Sequence, residues 1–492
     1  MLEATALAIA ALAQPIVICY LIVGTIVGLV FGVLPGLGGV VALTISLPFT
    51  FGMKPIHAMF LYSGIMGSIT FGGSISAVLL NTPGTAHNAA TCIDGYPMTQ
   101  AGQGAKAVGI AATASGFGAF FGVFVLLGLI PIVRRVVLAF GPPEVFSLVL
   151  FGLVTVAFAS RGNMIKGLAV GGLGVLLSLI GFSEVSASLR FTMGSDYLWD
   201  GIPLVPFLVG LFALSELVRY MIRGGTVVTA SKIESRGGAW EGFIEVFRHK
   251  LLFLRCSSLG TIIGIIPGVG ATVANFLAYT MAVQTCKNPE TFGKGDPRGI
   301  VAAESANNAK DGGALLPTVG FGVPGSAEMV VLLGAFILHG LVPGPLLMRD
   351  HLDLVMAIIL GLVLSNIFAS TFGLIGANTL ARLTFIRVSY IIPFLMALCF
   401  LAVYAIRQQP MDLAQLVVWG FFGYAMSVFD YPKVCLVIGY VLGVIAENNF
   451  HLSLMIGYGS PTVFFTRPIS LVLLIGIALV IGVPLVRNWR KK

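Results

Sequence analysis

The sequence predicts an all-α polytopic membrane protein made of two inverted repeats with broken or re-entrant helices. Three observations predict it: the composition, the long apolar runs, and a set of Pro-Gly motifs that occurs twice. Of 492 residues, 57% are hydrophobic and only 10% are charged, with a mean hydropathy of +0.99. Soluble domains carry about a quarter charged residues. We therefore expect most of the chain to lie within a lipid bilayer.

Apolar runs of helix-spanning length recur along the whole chain. They lie near residues 14–34, 56–80, 106–133, 145–160, 164–182, 201–221, 256–284, 326–348, 352–377, 390–405, 411–429, 433–446 and 468–486. Some must be re-entrant or paired half-helices, so we expect about 10 to 12 crossings. The first run starts without charge and continues into patterned sequence, which favours a retained helix over a signal peptide. A β-barrel is excluded, because its strands alternate with period two over about ten residues.

The distribution of Lys and Arg predicts the orientation, since both accumulate in cytoplasmic loops. The first basic residue is Lys54, so the N-terminus is expected outside. Both the polar segment 223–255 and the C-terminus should be cytoplasmic. Their basic residues are Arg223, Lys232, Arg236, Arg248, Lys250, Arg255, Arg490, Lys491 and Lys492. The formal net charge of +8 therefore indicates which segments are cytoplasmic, and no nucleic-acid site is predicted.

Motifs of catalytic and metal sites are missing from the sequence. The six cysteines show no C-x-x-C spacing, and the six histidines form no H-E-x-x-H. No G-x-S-x-G and no Walker loop occur either. We therefore expect no enzyme activity, no cofactor, and no bound metal beyond a transported Na⁺.

Two motifs occur twice, in the same order. Residues 28–38 read GLVFGVLPGLG and residues 260–270 read GTIIGIIPGVG, an offset of 232. Further on, a Gly-Gly pair leads to TPGTA at 82–86 and to VPGSA at 323–327, an offset of 241. A duplication of this length predicts a first membrane repeat at 1–222, a cytoplasmic linker at 223–255 and a second repeat at 256–492.

The predicted orientation makes the two repeats inverted. With the N-terminus outside and the linker inside, the first half crosses an odd number of times and the second half starts from the opposite face. Inverted repeats allow one fold to alternate between two accessibilities, which is typical of secondary transporters. Channels and enzymes can also be duplicated, so both classes stay open at this point.

The breaks at membrane depth predict the substrate site. Irregular backbone within hydrocarbon is tolerated only beside protein or a water-filled cavity. A helix that stops before Asn81 and a partner that starts after it would place an N-terminus, with about half a positive charge, at a cavity. Two such ends and neutral donors would bind an anion. The predicted substrate-binding residues are Asn81, Thr82, Pro83, Gly84, Thr85, Gly322, Pro324, Gly325 and Ser326.

Two further groups are candidates for a hinge or for cation ligands. The first is the pair of P-G-x-G turns, formed by Pro35, Gly36, Gly38, Pro267, Gly268 and Gly270. The second is Glu304 with Asn307 and Asn308, which share a helix face at i, i+3 and i+4. Ordinary Pro kinks with glycines for close packing, and pairing of Glu304 with Lys310, are the structural alternatives.

At these residues the sequence resembles a known family. LLNTPGT at 79–85, DGYP at 94–97, ESANNA at 304–309, GGALLP at 312–317 and GVPGS at 322–326 look like the large membrane subunit of the tripartite tricarboxylate transporters. The resemblance covers about residues 20–480. Ser76 stands where a proline is expected and His87 lies beside the first break, so the carboxylate transported stays open.

The resemblance implies a function and partners. It implies a multi-pass protein of a bacterial inner membrane that imports di- or tricarboxylates by symport with Na⁺ or H⁺. It also implies a smaller membrane subunit and a periplasmic solute-binding protein. The alternatives are a self-sufficient organic-anion symporter and, as a weaker candidate, an anion channel.

The inverted topology can be tested by cysteine labelling. In a cysteine-free background, single cysteines near residues 4 and 238 should react with an impermeant thiol reagent from opposite sides of the membrane. The reason is that the first half crosses an odd number of times. Labelling of both from the same side would contradict the inversion.

Overall fold

The computed structural model describes residues 1–159, 164–183, 185–223, 238–384 and 388–489, nearly all of them helical. The first half contains α1 Leu2–Leu12, α2 Pro15–Val33, α3 Gly38–Thr50, α4 Pro55–Leu80, α5 Ala89–Gln100, α6 Gly104–Val137, α7 Pro142–Ala159, α8 Met164–Ser178, α9 Leu204–Leu208 and α10 Ser215–Arg223. A π-helical stretch, Val209–Leu214, joins α9 to α10, and a 3-10 turn, Ala86–Asn88, precedes α5.

The second half repeats much of this order. It contains α11 Ala239–Arg248, α12 Lys250–Ile265, α13 Gly270–Thr285, α14 Pro297–Phe321, α15 Ala327–Leu338, α16 Pro345–Asp350, α17 Leu352–Leu383, α18 Val388–Arg407, α19 Pro410–Val428, α20 Lys433–Ile456, α21 Val463–Thr466 and α22 Pro468–Trp489. The series α2, α3, α4, α5, α6 thus corresponds to α12, α13, α14, α15, α17. Helix α12 begins at Lys250, within the predicted linker, and the predicted domain boundaries stay a prediction.

The all-α membrane fold is confirmed. Among the described residues, eight helices are long and apolar enough to cross a membrane, and six shorter helices are also apolar. The central helix α14 is not one of the eight. A small antiparallel hairpin, β1 Gly181–Ser183 with β2 Ser188–Arg190, is the only β-structure in the described parts of the chain. The prediction of about 10 to 12 crossings stays a prediction.

The core is organised around α4 and α14, whose side chains are buried almost throughout. Helix α4 packs between α2 of its own repeat and α17 of the other, and α14 packs between α12 of its own repeat and α6 of the other. Each of the two helices thus packs on one helix of its own repeat and one helix of the other, which is what a twofold relation between the repeats produces. Their opposite orientation across the membrane stays a prediction.

Glycines bring these helices into backbone contact. A Cβ atom on Gly28 would lie 2.5 Å from the Ile65 carbonyl oxygen, and one on Gly264 would lie 2.3 Å from that of Lys310. Small residues at such crossings allow the close approach on which packing in membranes depends. The alternative interpretation of the glycines, as packing residues, therefore holds for the helix interiors.

The predicted linker is partly helical. Helix α11 lies within it and packs on α6, where Lys106 forms an ion pair with Glu245 at 3.3 Å. Residues 224–237, which include Lys232 and Arg236, lie outside the described residues, as do Arg490, Lys491 and Lys492.

The glycine contacts predict a stability difference between two substitutions. Gly28→Ala should lower the unfolding temperature of the purified protein, since overpacking against the α4 backbone costs about 1–3 kcal/mol. Gly128→Ala, in α6, is the control because nothing lies within 4 Å of its added Cβ. It should be neutral or stabilising by up to about 1 kcal/mol. Equal unfolding temperatures for the two variants would contradict the inferred helix contact.

Candidate functional site

A cavity of about 680 Å³ lies where the broken helices of both repeats meet. Its lining includes the first residues of α3 and α13, which follow the P-G-x-G turns, the first residues of α15 and α20, and the turn that leads into α5. Four helix N-termini therefore converge on one space. Cavities of roughly 300–1,000 Å³ are typical of small-molecule sites.

In the first repeat the two breaks contact each other. The chain leaves α2 at Leu34 and turns through Gly36 and Gly38, whose φ angles of 83° and 61° favour glycine. The Gly36 amide donates a hydrogen bond to the Gly84 carbonyl oxygen at 3.2 Å. A Cβ on Gly84 would lie 1.7 Å from the Gly32 carbonyl oxygen, so any side chain there would separate the breaks.

The second repeat is built in the same way. Helix α14 ends at Gly322, which has a φ of 70°, and Ser326 caps α15 by accepting a hydrogen bond from the Met329 amide at 3.4 Å. A Cβ on Gly325 would lie 2.7 Å from the Ala314 Cα. Asn81 occupies the position equivalent to Gly322, with a φ of 54°. The predicted end of a helix before Asn81 is thus confirmed.

The predicted site residues divide into three groups. Those that line the cavity are Gly36, Gly38, Pro83, Gly84, Thr85, Gly270 and Ser326. Those that shape the breaks without lining it are Pro35, Asn81, Thr82, Pro267, Gly268, Gly322, Pro324 and Gly325. Glu304, Asn307 and Asn308 lie in the interior of α14, away from this lining.

The expectation that only neutral donors and two helix ends form the pocket was wrong. Arg219 and Lys433 contribute two positive charges to the lining, and Glu216 and Glu328 contribute two negative ones. Lys433 donates to the Ser215 hydroxyl at 2.6 Å and approaches Glu216 at 3.4 Å, and Arg219 lies 3.2 Å from Glu216. The side-chain charges cancel, which leaves about two positive charges from the four helix N-termini.

His87, which lies beside the first break, belongs to this cavity. It lines the cavity in the turn before α5, and its carbonyl oxygen accepts a hydrogen bond from Asn275 of α13 at 3.0 Å. Its Nε2 has no hydrogen-bond partner among the described residues. The bond from Asn275 ties the two repeats together at the cavity edge.

Two acidic side chains outside this cavity have structural partners. Asp94 accepts hydrogen bonds from the amides of Gly293, Gly295 and Asp296 at 2.8–3.0 Å, which fixes the loop before α14. Glu447 forms a two-point ion pair with Arg190, at 2.6 and 2.9 Å. Lys310, the alternative partner of Glu304, pairs instead with Asp311 at 2.7 Å.

Glu304 lies in a buried polar cluster. Its Oε2 accepts a hydrogen bond from the Ser115 hydroxyl of α6 at 2.6 Å, and its Oε1 accepts one from the Thr91 hydroxyl of α5. Asn307 lies beside the same carboxylate, and its Oδ1 has no hydrogen-bond partner in the described part of the chain. All four side chains have no exposed surface.

Comparison with known proteins identifies relatives over almost the whole chain. A family model described as "Tripartite tricarboxylate transporter TctA family" matches residues 18–438. An uncharacterized 52.8 kDa protein in the TAR-I ttuC' 3' region of Agrobacterium vitis is 31% identical over 482 residues, 97% of this chain and 95% of that protein. A protein in the TAR-II ttuC' 3' region of the same organism is 31% identical over 221 residues, 45% of this chain and 91% of that protein.

The cavity predicts different effects for two polar residues at the breaks. Ser326→Ala should raise the half-saturating carboxylate concentration about 2- to 12-fold, since one hydrogen bond is worth about 0.5–1.5 kcal/mol. Asn81→Ala should leave this concentration unchanged and lower the unfolding temperature, because alanine strains the positive φ. Uptake kinetics and thermal unfolding measure the two effects. A larger kinetic effect for Asn81→Ala would place the substrate elsewhere.

Proposed function

The chain belongs to the tripartite tricarboxylate transporter TctA family, and from that premise we propose its role. It is the large transmembrane subunit of a binding-protein-dependent secondary transporter. It imports di- or tricarboxylates by symport with Na⁺ or H⁺ across a bacterial inner membrane, with its C-terminus in the cytoplasm.

The observation that carries this proposal is the convergence of four helix N-termini on one cavity shared by both repeats. Free amides at helix N-termini bind carboxylates directly. An anion can therefore bind here although the charged side chains of the lining carry no net positive charge. Arg219 and Lys433 lie on one part of the wall, where a second carboxylate of the same substrate can reach a cation.

The charge balance supports symport. The four helix N-termini offset about two negative charges, and a tricarboxylate carries about three. The half-buried Glu328 carboxylate also lies in the cavity, where it repels a bound anion unless a cation or proton accompanies the substrate. A co-transported Na⁺ or H⁺ supplies the missing positive charge.

The need for partners follows from the limited affinity that a transport site can have for its substrate. Substrate must leave the site again, so binding inside the membrane is weak and scarce anions are captured poorly. A periplasmic solute-binding protein supplies substrate at high local concentration, and a smaller membrane subunit completes the complex. Both partners accord with the tripartite character of the family.

Reconstitution tests this function against its rivals. In liposomes, uptake of micromolar radiolabelled di- or tricarboxylate should require the solute-binding protein and the small membrane subunit, and should respond to an imposed Na⁺ or H⁺ gradient. The matched controls are liposomes that lack one partner at a time and liposomes without a gradient.

Each rival predicts a different result. Full-rate uptake by this chain alone would indicate a self-sufficient symporter. A conductance without saturable counter-flow would indicate an anion channel. Uptake that ignores both gradients would refute cation coupling.

A further inference from the structure

We propose that the Glu304 cluster is a Na⁺ site, separate from the substrate cavity and linked to it through α5. The inference rests on the proposed function and deepens it, because it names the coupling cation and the residues that hold it. Glu304, Thr91, Ser115, Asn307 and Ser74 form the cluster.

The first argument is an uncompensated charge. Glu304 has no exposed surface, and no described Lys, Arg or His forms an ion pair with it. Its hydrogen-bond donors are the neutral hydroxyls of Thr91 and Ser115. A buried carboxylate without a cation is costly unless it is protonated or binds a metal ion.

The second argument is a free oxygen ligand. Asn307 is fully buried beside the carboxylate, and its Oδ1 lacks a partner among the described residues. A proton on Glu304 would engage this one oxygen as its acceptor. A hard cation instead takes several oxygens at once, from carboxylate, hydroxyl and amide groups.

Charge and space select a monovalent, small ion. One carboxylate balances one positive charge, whereas a divalent cation would leave a net buried charge. The ligands come from α4, α5, α6 and α14, and Ser74, like the other four, has no exposed surface. A compact, closed site of this kind favours Na⁺ over the larger K⁺.

The link to the cavity is a short hydrogen-bond path. Thr85, which lines the cavity, donates a hydrogen bond to the Asn88 side chain, and Asn88 donates to the Ser74 hydroxyl at 2.9 Å. Ser74 lies beside the Glu304 carboxylate. Thr91 follows Asn88 by three residues, so an ion at Glu304 also orders the start of α5. Na⁺ binding therefore prepares the cavity wall for substrate.

Thermal unfolding of the full chain in detergent tests the site without transport. NaCl should raise the unfolding temperature in a saturable way, by linkage, whereas KCl and choline chloride at equal ionic strength should not. Glu304→Gln and Ser115→Ala should each weaken the apparent Na⁺ affinity at least about tenfold. Should Glu304→Gln fail to fold, Ser115→Ala, which keeps the carboxylate, carries the test.

Asp412→Asn is the matched control. Asp412 is also a buried carboxylate that accepts a hydroxyl hydrogen bond, from Tyr197 at 2.6 Å, but it lies outside the cluster. Its variant should keep the Na⁺ response of the unmodified protein. A response equal in Na⁺ and choline, or an unchanged Na⁺ affinity in both cluster variants, would overturn the site.

The uptake assay separates failure of this site from failure of the proposed function. Carboxylate uptake driven by a proton gradient alone, with no effect of Na⁺, would overturn the Na⁺ site and leave the transporter assignment standing. Selective stabilisation by Na⁺ without carboxylate uptake, with all partners present, would support the site and overturn the function.

Discussion

The rest of this structure depends on one constraint: a peptide group inside hydrocarbon must have a hydrogen-bond partner. The chain breaks two helices in each repeat, and all four breaks lie where other parts of the protein receive the exposed backbone. In the first repeat the Gly36 amide binds the carbonyl of Gly84, so one break satisfies the other. The first residues of α3, α13, α15 and α20, which carry the amides of their helix N-termini, line the cavity. The irregular backbone that lipid would penalise therefore lies at the proposed binding cavity.

Much of this could be predicted from the sequence, because Gly and Pro report backbone geometry directly. The two repeated motifs located all four breaks, and the Asn81 position gave the end of α4 to the residue. Spacing along α14 also brought out Glu304 and Asn307, which the structure places side by side. These patterns involve residues close together in the sequence, so they can be recognised without knowledge of the fold.

The charged wall of the cavity could not be predicted in the same way. Lys433 starts α20 and Arg219 lies in α10, more than two hundred residues apart in sequence, and no spacing connects them. Only the packing of α10, α19 and α20 around the break of α3 brings them together. The position of Glu328 could be predicted, since it lies in the first turn of α15, two residues after the capping Ser326. An acidic residue there commonly stabilises the helix, so its position in the sequence does not mark it as a cavity residue.

The burial of α14 has a consequence for how the protein is made. This helix carries Glu304, Lys310 and Asp311, and it is not apolar enough to enter a bilayer on its own. Its two packing partners, α6 and α12, both precede it in the chain. During synthesis the polar helix therefore emerges when a protein surface is already present to receive it. For α4 one partner, α2, precedes it, but the other, α17, is made almost three hundred residues later. Biogenesis of the first half is then incomplete until the second half arrives, which makes the two repeats obligate partners in assembly.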